Sequence, residues 1–126
     1  MTPGHEIIGE VTEVGTEVQN FRPGDVVGIG CLVDSCLDCD ACREGDENYC
    51  ESGSTGTYNA PDRLDGTITQ GGYSTHIVCR EEFLVRIPKA FADLESDAAA
   101  AATPLLCAGI TTYSCLLYTS PSPRDA

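Results

Sequence analysis

Four cysteines, Cys36, Cys39, Cys42 and Cys50, stand in a C-x2-C-x2-C-x7-C run inside the acidic stretch from Asp34 to Glu51. Thiolates two residues apart converge from one tight loop, and the longer gap lets the fourth return to close a tetrahedron, the geometry of zinc in all-cysteine structural sites. Sulfur then fills every position around the ion. Such a site holds a fold together, and any reaction must be sought elsewhere. Two other chemistries compete for the same thiols. An iron–sulfur cluster shares the C-x2-C-x2-C opening, but the bacterial pattern closes with C-x3-C-P, whereas here seven residues precede Cys50 and Glu51 follows it. A disulfide framework suits an even count of eight cysteines, but no apolar signal segment stands ahead of them and cysteine stays below the density of a small secreted scaffold.

The other reactive side chains are weaker taken singly. His5-Glu6 reads equally well as a strand histidine beside a surface carboxylate. Cys31 and Cys79 read as buried or idle thiols, because free cysteine packs as a small hydrophobe, and His76, alternating with apolar neighbours, reads as structural. Gly28-Ile29-Gly30 opens like a dinucleotide fingerprint, but Val33 stands at the third glycine position and no helix follows.

The elements that must position these residues are legible from pattern. Ile7, Ile8, Val11 and Val14 fit a helical period as well as a strand, but Gly9 within, Gly15 at the end and β-branched residues between favour a strand over Glu6 to Gly15. Phe21-Arg22-Pro23-Gly24-Asp25 reads as a turn, with proline pre-setting its second position and glycine supplying the positive φ of its third, followed by a strand from Val26 to Ile29. Ser52 to Gly72, rich in Gly, Thr, Asn, Pro and Asp, reads as a long irregular connection of the kind that serves a site. Tyr73, Thr75, Ile77 and Cys79 alternate with their neighbours, and Phe83, Val85 and Ile87 repeat that two-residue period before Pro88, which predicts two strands. An alanine run after Ser96-Asp97 predicts a helix. Thr103-Pro104 breaks it and offers an N-cap and first-turn proline to a second helix carrying Leu105, Leu106, Cys107, Ile110 and Tyr113. Short strands, glycine turns and later helices predict a small antiparallel barrel leading into a different unit.

A chain of 126 residues amounts to one domain, able to bury roughly two thirds of its unfolded surface. The net charge of −13, with Lys89 the single lysine, argues against nucleic acid or an anionic membrane as partner. No run of eighteen apolar residues is present, and the start Met1-Thr2-Pro3-Gly4 has neither a basic nor an apolar region, so neither a transmembrane segment nor a secretory signal is expected. Reduced thiols in the cytoplasm are the expectation.

Gly4-His5-Glu6, Gly9, Gly15 and Val18 together make G-H-E-x2-G-x5-G-x2-V, which resembles the zinc signature of the medium-chain alcohol dehydrogenases at every defined position. The Cys36, Cys39, Cys42, Cys50 run has the spacing of that family's structural zinc lobe, and Asp46-Glu47-Asn48-Tyr49-Cys50 looks like its cinnamyl alcohol dehydrogenase and aldehyde reductase branch. Phe21, Gly24, Asp25 and Val27 resemble the turn into its barrel strand, and Pro104-Leu105-Leu106-Cys107-Ala108-Gly109-Ile110-Thr111 looks like the segment bearing its last catalytic ligand. The resemblance covers residues 4 to 114.

It implies a mainly β fold with short helices: a GroES-like, partly open β-barrel with a structural zinc lobe, truncated before the Rossmann domain. Residues 1–103 would be a partial catalytic domain with its lobe at 34–51, residues 104–114 the start of the helix leading to the cofactor domain, and residues 115–126 a tail outside the family. His5 and Cys107 are implied as catalytic zinc ligands, Glu6 as their neighbour or an exchangeable fourth ligand, and Thr111 as a contact of NADP. The implied activity interconverts primary alcohols and aldehydes by zinc-assisted hydride transfer, with a small alcohol or aldehyde as partner and a homodimer left open for the parent. The family's first catalytic cysteine belongs ahead of the GHE motif and its glycine-rich cofactor turn beyond Cys107, so the isolated chain is expected not to turn over. The alternative is a stand-alone structural or interaction module that uses one four-cysteine zinc site and catalyses nothing.

Overall fold

The computed structural model describes residues 1–119. Its framework is an antiparallel sheet in the order β1-β2-β5, formed by β1 (Ile7–Glu10), β2 (Val26–Ile29) and β5 (Leu84–Arg86), with Ile7 opposite Ile29 and Gly28 opposite Val85. The turn ahead of β2 forms as its residues require: Gly24 takes a φ of 95° and the Asp25 N–H donates to the Arg22 carbonyl at 3.1 Å. A second, two-stranded sheet pairs β3 (Leu32–Asp34) with β4 (Thr55–Gly56), with an irregularity in register between Leu32 and Asp34. These strands lead into and out of the cysteine lobe, which contains α1 (Asp40–Arg43) and a 3-10 turn at Glu47–Tyr49. Pro88 onward leads to α2 (Asp97–Ala102), a 3-10 turn at Thr103–Leu106, and α3 (Ala108–Tyr118).

Among the described residues the buried apolar set is small: Val27 and Ile29 on β2, Ala99 and Ala102 on α2, and two lobe cysteines, Cys42 and Cys50. A core this thin needs other ties, and buried polar groups supply them. Asp34, 7% exposed, accepts from the Ser35 N–H at 2.8 Å and from Arg80 Nη1 at 3.0 Å, joining the lobe to the segment ahead of β5. Thr57, 1% exposed, donates its hydroxyl to the Gly30 carbonyl at 2.6 Å. The Arg80 side chain keeps about half its surface in water, so Arg80→Ala should cost toward the low end of the 1.5–3 kcal/mol typical of a hydrogen bond to a charged group. A lowered urea midpoint with unchanged m-value is the expected readout; an unchanged midpoint would mean that water replaces the guanidinium.

Two half-buried carboxylates tie the hairpin ends. Asp25 is held below the usual carboxylate range by the Arg22 backbone N–H and by Arg86, and Glu81 is held low by the backbone N–H groups of Asn20 and Gln19. A depressed carboxylate contributes stability above its unfolded pKa, near 4, and loses it as pH falls through the lower folded value. Asp25→Asn should therefore flatten the loss of stability below about pH 4, as read by acid titration of the thermal midpoint; an unaltered slope would remove Asp25 from the account.

Several expectations require correction. Tyr73 to Cys79 alternates in sequence but forms no strand. It faces β1 across an opening of about 800 Å³ lined by Ile7, Ile8, Val11, Val18 and Ile77, and among the described residues neither side carries a ladder partner there. Alternation prepares a strand, but a second backbone must complete it. The strand expected over Glu6 to Gly15 ends at Glu10, and the connection after the lobe is more regular than expected, since it contributes β4 and a bridge between Pro61 and Ile68. Ser96 caps α2 through a bond from the Ala99 N–H, but Thr103 is no N-cap: its hydroxyl donates back to the Ala99 carbonyl at 2.9 Å. The helix expected from there is consequently split, with Cys107 at the joint. From Ala108, α3 runs unbroken to Tyr118, through the first residues of the expected tail; positions 120–126 lie outside the described residues. Among the described residues no single helix is long and apolar enough to cross a membrane.

Candidate metal centres

The four lobe thiols come together from three local structures. Cys36 precedes a turn in which Leu37 adopts a left-handed φ of 56°, Cys39 and Cys42 flank the start and body of α1, and Cys50 ends the 3-10 turn. Their sulfur atoms all lie within 4.8 Å of one another, and those of Cys36 and Cys42 are 3.9 Å apart. Zinc–sulfur bonds of about 2.3 Å at tetrahedral angles require sulfur atoms about 3.8 Å apart. The cradle thus fits zinc as it stands.

The backbone supports the same charge. The Leu37 conformation directs the N–H groups of Asp38 and Cys39 at the Cys36 sulfur, at 3.5 and 3.3 Å, while the Cys36 N–H faces Cys50 Sγ at 3.4 Å and the Glu51 N–H faces Cys39 Sγ at 3.5 Å. Those amides of Asp38 and Cys39 pull the Cys36 thiol down to about 6. Cys42 goes the other way: the Ser35 hydroxyl lowers it, but burial and the thiols of Cys39 and Cys50 outweigh that bond and push it up to about 11. One thiolate is therefore ready at neutral pH, whereas the buried one would need a cation to displace its proton.

A second cluster joins the two ends of the described chain. Donor atoms of His5, Glu6 and Cys107 lie within 4.8 Å of one another, all half-buried. His5 is placed by its neighbour Gly4, whose φ of 109° and contacts of 3.0 and 3.1 Å from a would-be Cβ to the Gly72 and Tyr73 amides exclude a side chain. The imidazole stacks on the Tyr58 ring at 5.7 Å between centroids, so the connection after the lobe does reach this cluster. Cys107 occupies the joint before α3 with φ −135° and ψ −69°. Burial raises its thiol, and Cys31 and Glu6 add to the effect. A nitrogen, a sulfur and a carboxylate oxygen make a donor set suited to zinc with a position left over.

Thr111 lies one turn along α3, its N–H donating to the Cys107 carbonyl at 2.9 Å and its hydroxyl lowering the Cys107 thiol. Cys31, expected to be buried or idle, is exposed and interacts with Cys107. Burial pushes Cys79 up to about 12, which leaves it an unreactive thiol at neutral pH. His76 is exposed beside the Thr75 hydroxyl. Sequence reasoning had no signal for Tyr58 or for the influence of Cys31 on the Cys107 thiol, since both depend on residues brought near by tertiary packing. The 800 Å³ opening contains none of the clustered donors.

Residues 1–89 match the family model described as the alcohol dehydrogenase GroES-like domain. Cinnamyl alcohol dehydrogenase 8 of Arabidopsis thaliana is 57% identical over 118 residues, covering 94% of this chain and 31% of that protein. NADP-dependent alcohol dehydrogenase C 1 of Mycolicibacterium smegmatis is 56% identical over 124 residues, covering 98% of this chain and 34% of that protein. Among solved structures, a CAD from Helicobacter pylori complexed with NADP(H) superposes with a TM-score of 0.81 at 43% identity, over 94% of this chain and 32% of its own. The chain thus spans about a third of the length of the relatives it matches. With a shared sheet framework, more than half of the residues identical and one family model spanning most of its length, this chain belongs to the alcohol dehydrogenase GroES-like domain family.

Proposed function

We propose that this chain is the metal-binding barrel portion of a zinc-dependent, NADP-linked alcohol dehydrogenase that interconverts primary alcohols and aldehydes in the cytoplasm. The observation that carries this reading is the meeting of His5, Glu6 and Cys107, donors separated by about a hundred residues, within 4.8 Å. Residues 1–103 form the barrel portion with its lobe at 34–51, residues 104–114 begin the helix toward a cofactor domain, and residues 115–126 stand outside the family pattern. In the lobe Cys36, Cys39, Cys42 and Cys50 hold a structural ion. At the second centre His5 and Cys107 hold the reacting ion, Glu6 lies against both, and Thr111 faces the cofactor.

Zinc bound there supplies Lewis acidity, lowering the pKa of an alcohol hydroxyl and polarising an aldehyde carbonyl for hydride exchange with a nicotinamide. The protein's own part is orientation. Tyr58 stacks on the His5 ring, and the joint before α3 leaves the Cys107 sulfur within 4.8 Å of the His5 and Glu6 donor atoms. The names of NADP-dependent alcohol dehydrogenase C 1 and of the NADP(H) complex support the choice of cofactor. A protein extended to the full length of its relatives should contain two zinc ions per subunit and reduce NADP in the presence of a primary alcohol. One zinc and no turnover would favour a structural module held by the lobe alone.

A further inference from the structure

Glu6 makes a bond that neither cluster requires. Its Oε1 accepts the N–H of Ala108 at 3.2 Å across 102 positions of sequence. Ala108 is the first residue of the eleven-residue α3, and the first N–H groups of a helix have no partner within it. The cap position belongs to Cys107, whose side chain makes no capping bond. A cysteine facing a metal has no oxygen to offer the helix, so the cap must come from another residue. The Glu6 carboxylate provides it, and its negative charge also suits the helix N-terminus.

The geometry has a consequence for the donors on either side. Glu6 is bonded through one peptide to His5, and Ala108 through one peptide to Cys107. Fixing Glu6 Oε1 to the Ala108 N–H therefore ties the backbone of one donor to the backbone of the other. Among the described residues it is the one side-chain hydrogen bond that joins residues 5–6 to α3. The 3-10 turn ahead of Cys107 leaves that residue in a non-helical conformation, held from the α3 side by the Thr111 N–H on its carbonyl and from across the fold by the Glu6 bond to its neighbour Ala108.

We propose that Glu6 is a positioning residue that caps α3 from across the fold and thereby sets the separation of His5 and Cys107, a role that rests on the reading of those two side chains as metal ligands. Glu6→Gln retains an acceptor oxygen at the same reach, whereas Glu6→Ala retains none. In the metal-free 126-residue chain, Glu6→Ala should speed amide exchange at Ala108 about fivefold, the effect of losing an ordinary cap, and Glu6→Gln should stay close to the parent rate. In the cobalt-loaded chain, Glu6→Ala should weaken binding at the His5–Cys107 centre about tenfold, as loss of a supporting hydrogen bond does. Glu6→Gln should keep the Cys107 thiolate-to-cobalt band. The four-cysteine lobe serves as the internal measure of folding, since its cobalt spectrum should be the same in all three chains. Unchanged exchange at Ala108 in Glu6→Ala would overturn the cap. Equal loss of cobalt by both variants, with Ala108 protection kept in Glu6→Gln, would overturn positioning in favour of direct ligation by the carboxylate. Cobalt absent from this centre in every chain would defeat the metal reading instead, and the exchange measurement would still decide whether Glu6 caps α3.

Discussion

Chelating the ion from the four-cysteine lobe should unfold residues 34–51 and lower the urea midpoint of the whole chain, the largest stability change expected for any single perturbation. Binding of structural zinc is worth about 10–16 kcal/mol in isolated zinc fingers, where it drives the entire folding reaction. Here β3, β4 and the Asp34–Arg80 bond pre-order part of the lobe, so less of that energy is needed to form it and more of the structure survives its loss. Yet Cys42 and Cys50 are two of the few buried apolar residues, and without an ion the Cys36 thiolate would lie beside a buried thiol that resists ionisation. Cys50→Ser should reproduce the effect, because the sulfur that returns from the seven-residue gap closes the site. Amide exchange across Ser35, Leu37 and Cys42 before and after chelation checks this directly. Protection that survives chelation would show the lobe to be held by its sheet and ion pair.

In a protein of the relatives' full length, Cys107→Ser should remove one of two zinc ions and lower kcat/KM by about a thousandfold, equivalent to roughly 4 kcal/mol of transition-state stabilisation. His5→Ala should do the same, since either change leaves too few donors to hold a Lewis acid at that centre. The lobe ion should remain, because no lobe donor belongs to the second cluster. Metal content by mass spectrometry together with NADP-linked alcohol oxidation separates the two centres. Full activity in Cys107→Ser would remove that residue from the reaction.

The sequence was most informative where the physical cause was local. The Arg22-Pro23-Gly24-Asp25 turn, the strand Val26–Ile29 and the Ser96 cap of the alanine helix follow from residues within a few positions of each other, and all are found. The cysteine run is local in the same sense: two-residue gaps and one returning turn bring four sulfurs within 4.8 Å. The GHE motif, the cysteine run, the Phe21 turn and the Cys107 segment carry the family resemblance in the sequence itself, and the GroES-like domain model matches residues 1–89.

Failures arose where a second backbone or a distant side chain had to decide. Tyr73 to Cys79 has the alternation of a strand and no ladder, because alternation says which face is apolar and not what lies alongside. Thr103 has the chemistry of an N-cap and uses it backwards, on the Ala99 carbonyl, because its own backbone is already helical. The amino-acid sequence alone determined which residues could ligate metal, where turns and caps could form, and which family the chain joins. Tertiary structure alone decided that Tyr58 stacks on His5, that Cys31 helps raise the Cys107 thiol, and that Glu6 accepts the first N–H of α3. The division has one physical reason: spacing controls groups a few bonds apart, whereas contacts across a hundred residues depend on how the sheet and helices pack.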